Sequence, residues 1–264
     1  MQIDGNGWCQ TLFAADEFWI EPGENWLTST TASVWISSEK LGQFVGTPAV
    51  TDSWDAVEAG AKVLEITAEL NGPVDTLGER LSAFWADQVP EFAEALNSDQ
   101  AVSIHYSDRY LKSPWSLMVL SGFLSVFKNS KLVSIEIDTL SPGDSVANGS
   151  LKNDWSSVSD LEAVIIAWLE ATSGITPQVK IKQKAYELQH SRVISVTWAS
   201  GKRSRIILDQ GMGYWIPRMQ SRDELNFDFY QKLENQVSQM VEKYRAAIMV
   251  SGGNWPTFIT VETK

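Results

Sequence analysis

A single cysteine, Cys9, occurs in 264 residues. No internal disulfide can form, and a cysteine-based metal cluster is excluded. Histidine is almost as scarce: His105 and His190 are the only two, so imidazole chemistry has just these positions to work from. Long apolar runs are missing as well. The longest, Ala163–Leu169 ("AVIIAWL"), falls far short of the ~20 residues that a membrane-spanning helix needs. The opening "MQIDGNGWCQTLF" has no basic stretch leading into an apolar core, unlike a signal peptide. These shortages together predict a soluble, cytoplasmic protein with no cofactor and no metal. Basic charge is short too: 21 Lys and Arg face 33 Asp and Glu, a net charge of -12. That balance argues against a general nucleic-acid coat protein and makes a membrane an unattractive partner.

What is present is a globular composition with an uneven charge. Apolar residues make up 44% of the chain and twelve tryptophans supply core material. Between Lys180 and Arg222 nine basic residues stand against Glu187 and Asp209 alone, a local excess of seven that leaves -19 for the remainder. A basic zone on an acidic protein points to a defined anionic contact. The simpler reading is charge balance within the fold, or lysines on a solvated edge strand.

The order of elements predicts the fold class. Residues 1–75 read as a small, mainly β and irregular region, with strand candidates at Ala32–Ser37 and Lys62–Leu70 and a turn signal at Asn71-Gly72-Pro73. Residues 76–264 read as an α/β domain. Thr76 and Glu79 have capping-box spacing before a helix that Pro90 interrupts or ends. Strands are expected at Ala101–Tyr106 and Leu132–Ile137. Between them Ser113-Pro114 opens a helix to about Lys128 that is apolar on most sides. Ser159 and Glu162 predict the cap of another helix, to about Thr172. Gln178–Leu188 alternates, with Lys180, Lys182 and Lys184 on one face. Arg192–Trp198 and Arg203–Leu208 read as a hairpin across Ala199-Ser200-Gly201-Lys202, and a last helix covers about Asp228–Ile248. A hairpin inside such a series requires a mixed sheet.

Two separated stretches carry a resemblance. His190-Ser191-Arg192, the Gly201 turn and "DQGMGYW" (Asp209–Trp215) resemble the "HDR, strand, turn, strand, glycine-aromatic" pattern of the phospholipase-D-like domain that ends microtubule-interacting-and-trafficking proteins. Upstream, "SDRYLKSPWSLMVL" (Ser107–Leu120) is similar to that family's segment opening a helix, with Asp108, Tyr110 and Leu111 matching. The same stretch resembles C-terminal parts of bacterial DEAD/DEAH helicases in phage-defence loci. The resemblance covers roughly residues 101–248 and implies a mixed-sheet phospholipase-D-like domain. Ser191 replaces the usual aspartate, and Gly213 stands where an acid is frequent.

Phospholipase-D chemistry needs two histidines at one phosphodiester, one attacking phosphorus and one protonating the leaving group. His105 and His190 could supply them, with Arg192 neutralising charge and Asp108 or Asp209 orienting. The motif is degraded, however: Arg192 stands where lysine belongs and Thr197 where aspartate belongs. The reading favoured by the sequence is therefore a degenerate, helicase-associated subunit of a defence or DNA-processing system. It would hold DNA or RNA phosphates, or dock on a protein partner such as a helicase, through Lys180, Lys182, Lys184, Arg192, Lys202, Arg203 and Arg205. The alternatives are an active two-histidine nuclease and a phospholipid-binding adaptor.

Overall fold

Ala101–Asp108 alternates buried and half-buried side chains. In the computed structural model it is β5, an interior strand of a seven-stranded sheet. The described residues are 2–3, 9–10, 62–66, 68–142, 155, 157–188, 192–220, 226–252 and 257–263. The chain divides into two units, Met1–Gly60 and Ala61–Lys264. In the first, β1 (Gln2–Ile3) pairs antiparallel with β2 (Cys9–Gln10). The strand candidate at Ala32–Ser37 lies outside the described residues.

The second unit is a mixed α/β fold, with five α-helices among the described residues. Its main sheet comprises β3 (Lys62–Ile66), β5, β6 (Ser134–Leu140), β7 (Gln178–Lys182), β8 (Arg192–Trp198), β9 (Arg203–Leu208) and β12 (Thr257–Thr263), in the order β3-β12-β9-β8-β5-β6-β7. The β5–β6 and β6–β7 pairs are parallel; the other neighbours are antiparallel. Parallel neighbours require crossovers. These are supplied by α3 (Pro114–Leu124) between β5 and β6 and by α4 (Val158–Ser173) between β6 and β7. A smaller sheet joins β10 (Ile216–Arg218), β11 (Ile248–Val250) and β4 (Gly72–Pro73). No helix among the described residues is long and apolar enough to cross a membrane.

Local signals explain most of the boundaries. Ser113 caps α3 by accepting from the Ser116 N–H at 3.1 Å, and the Ser116 hydroxyl in turn accepts the Ser113 N–H at 3.2 Å. Every residue of α3 is buried, as its all-round apolar sequence predicts. The expected hairpin forms, with Gly201 at φ +85° in its turn.

Other boundaries move. Pro90 ends α1 (Leu77–Gln88) only to begin α2 (Pro90–Ser98), because proline at a first helical position sacrifices no hydrogen bond. Phe92 on α2 then meets Trp85 at 4.8 Å and Trp198 at 5.8 Å between ring centroids. Thr76 makes no cap bond to its helix, since its hydroxyl accepts from Arg80 Nη1 at 2.8 Å. The cap of α4 is Ser157 rather than Ser159, accepting from the Asp160 N–H at 3.0 Å. The last helix, α5 (Leu233–Ala246), is shorter than expected because Ile248–Val250 is drawn into the small sheet. Strand β7 stops at Lys182, so Lys184 lies beyond it and does not share its face.

Candidate functional site

The alternation of β5 sorts the candidate residues onto opposite faces of the sheet. Ile104, Tyr106 and Asp108 point into the packed side; Ser103, His105 and Ser107 point away from it. At the strand's end Asp108 is only 1% exposed. Its Oδ2 accepts from the Tyr106 hydroxyl at 2.7 Å and its Oδ1 from the Tyr110 N–H at 2.8 Å. The register pairing Ser107 with Val193 brings Arg192 alongside, with its Nε 3.8 Å from Asp108 Oδ1, in ion-pair range. The same guanidinium lies over the Tyr110 ring at 5.0 Å and donates from Nη1 to the Asp209 carbonyl. Asp209 thus contributes backbone to this contact.

Gly211 closes the knot. Its φ is +64°, and a Cβ there would lie 2.3 Å from Arg192 Cδ and 2.8 Å from Asp108 Oδ2. Burial, followed by the charge of Asp108, holds the Tyr106 phenol well above the ordinary tyrosine range, so it stays a donor. The stretches "SDRY" and "DQGMG" therefore meet. They meet as a brace whose oxygens are already occupied.

His105 is on the other side. Its Nε2 is 3.2 Å from Asp138 Oδ2, and Ser195 faces it across the strand pair. A shallow hollow of about 260 Å³ reaches from His105 to Ser107, Asp138, Leu188 and Arg205. His105 therefore does not converge with Asp108 and Arg192. His190 lies outside the described residues.

The seven cations picked from the sequence form no single strip. Lys180 and Lys182 on β7 and Arg203 and Arg205 on β9 share the His105 face, but β6, β5 and β8 lie between them. Four inter-strand steps separate the two pairs by about 19 Å. Carboxylates occupy the interval and the flank: Lys180 Nζ is 3.3 Å from Glu136, and Arg205 Nη1 is 3.0 Å from Glu262. Lys202 sits in the hairpin turn, where its charge is felt by Asp99. Arg192 faces the packed side.

A different grouping emerges at one end of the sheet, where β5, β6 and β7 finish and β8 begins. Lys182 ends β7 opposite Leu140, and Lys184 follows in an exposed turn with its Nζ 5.7 Å from the Tyr186 ring centre. Arg109 reaches over to this turn, its Nε donating to the Leu188 carbonyl at 2.8 Å. Glu187 is taken up internally, accepting from the Gln183 and Lys184 N–H groups at 3.1 and 2.8 Å. Tyr110 and Tyr186 are 54% and 78% exposed. The rim so formed holds Arg109, Lys182, Lys184 and Arg192 with two tyrosines. Sequence reasoning missed Arg109, Tyr110 and Tyr186 as a unit. The available signal was the cation–aromatic alternation in "DRYLK" and "KAYE".

Comparison with protein families decides the relationship. Residues 60–263, more than three quarters of the chain, match the family model described as "DEAD/DEAH box helicase YjiV, C-terminal domain". The chain belongs to this family. No curated protein matches it. As a YjiV C-terminal domain family member it is a helicase-associated module, and the family's span coincides with the second structural unit.

Proposed function

We propose that this chain is a non-cleaving accessory module of a helicase system, a phospholipase-D-like domain that holds nucleic-acid phosphates at the rim where its parallel strands end. The observation that carries the reading is the rim itself: Lys182 at the end of β7, Lys184 just beyond it and Arg109 just beyond β5 line it, Arg192 adds a guanidinium paired with the buried Asp108, and the exposed acid Glu187 is satisfied by backbone N–H groups. Carboxyl ends of parallel strands are where open α/β sheets receive ligands. The absence of cleavage is supported by the separation of His105 from the Asp108–Arg192 brace. The opposite face, with its paired charges Lys180–Glu136 and Arg205–Glu262, suits a protein partner such as the helicase motor better than a polyanion.

Fluorescence anisotropy of the native protein with a labelled oligonucleotide tests this. Neutralising about three phosphates predicts affinity falling roughly twenty- to fortyfold between 50 and 200 mM salt. Lys184→Glu weakens binding, and the oligonucleotide stays intact throughout. No binding at 50 mM salt overturns the proposal. Cleavage abolished by His105→Ala would select the nuclease instead.

A further inference from the structure

We infer that the rim takes single-stranded rather than duplex nucleic acid, with Tyr110 and Tyr186 as base-stacking platforms; this rests on the phosphate-binding reading above and names its substrate. Each ring is accompanied by a cation, Tyr110 by Arg192 at 5.0 Å and Tyr186 by Lys184 at 5.7 Å. An exposed ring beside a cation suits an unpaired base, which offers its π-face to the ring and its phosphate to the charge. A duplex offers only the charge contact, since its bases are stacked on one another.

The platforms are held in place before any ligand arrives. The Tyr110 N–H is fixed by Asp108 Oδ1 at 2.8 Å, while the Arg192 beside its ring is tied to Asp108 and the Asp209 carbonyl. Tyr186 lies in the 3-10 turn Ala185–Glu187, which Glu187 caps from within and Arg109 anchors through Leu188. Little ordering is left to occur on binding, which favours affinity. From β8 to β7 the rim spans three strand intervals, about 14 Å, a length suited to a few nucleotides.

The test compares a labelled single strand with the duplex of the same sequence, by anisotropy at one salt concentration. The native protein is expected to prefer the single strand at least tenfold. Tyr186→Ala, at a highly exposed position where folding is not at stake, lowers single-strand affinity about five- to hundredfold and leaves duplex affinity unchanged. Tyr186→Phe retains the preference, because it keeps the ring. Tyr110→Ala behaves like Tyr186→Ala, with circular dichroism confirming its fold. Equal affinity for both forms, unmoved by Tyr186→Ala, overturns the stacking inference and leaves phosphate binding standing. Binding of neither form overturns the proposed function itself.

Discussion

At the scale of single residues, the Asp108–Arg192 brace is under the strictest demand. Gly211 is required there twice, by its φ of +64° and by the missing Cβ that would strike Arg192 at 2.3 Å. Gly211→Ala is expected to destabilise the protein by about 2–4 kcal/mol, read from urea denaturation. Loss of Tyr110 stacking should accompany it, as weakened single-strand binding. A second residue contributes to the loss of stability at alkaline pH. Burial, and then the charge of Asp75, push the Tyr244 phenol up to about 12. Its protonated form is favoured by folding, so this stabilisation is complete below the ordinary value near 10 and drains away as pH rises toward 12. Tyr244→Phe should therefore flatten the fall in unfolding free energy between pH 10 and 12, read from urea titrations, by about 1–2 kcal/mol after allowing for partial exposure. The two motifs that hold Asp108, Tyr110 and Arg192 were legible in the sequence, but their meeting was not. Nor was their role as a brace, because it depends on how many of the carboxylate's partners are internal.

At the scale of elements, α1 and α3 approach closely at two glycines. A Cβ on Gly78 would stand 2.1 Å from Ser125 Oγ and 3.0 Å from the Val126 nitrogen; one on Gly122 would stand 3.0 Å from the Val74 carbonyl. Alanine is the better helix former by about 1 kcal/mol, yet overpacking typically costs 1–3 kcal/mol. Gly78→Ala should be net destabilising by about 1–2 kcal/mol in thermal or urea unfolding, and adding Ser125→Ala should recover part of it. Most elements were legible where the signal was local: the Ser113-Pro114 start, the Gly201 hairpin and the alternation of β5 all follow from neighbours in sequence, although the Thr76 and Ser159 caps do not form as that spacing predicts. The larger failures are non-local. Period-2 spacing assigned Lys180 and Lys182 correctly to one face, but nothing in the sequence states that three strands separate them from Arg203 and Arg205. The strand Thr257–Thr263 escaped notice altogether, being short and following a turn-rich stretch, and its partners lie about fifty and two hundred residues upstream.

At the scale of the whole molecule, charge is divided between the units. Residues 1–60 hold nine acids and one base, a net of -8, which leaves -4 of the total -12 for residues 61–264. A field of this sign slows the approach of a polyanion over distances up to the screening length, about 10 Å at 0.1 M salt. The placement of β12 has a consequence of another kind. Among the described residues its sheet neighbours are β3 and β9, and β3 joins the main sheet through β12. During synthesis the earliest strand of this domain must wait, without its companion, until residues 257–263 leave the ribosome. Closure of the sheet therefore waits on residues nearly two hundred positions downstream of β3, and until they pair, β3 and β9 both present open edges to any chaperone in reach.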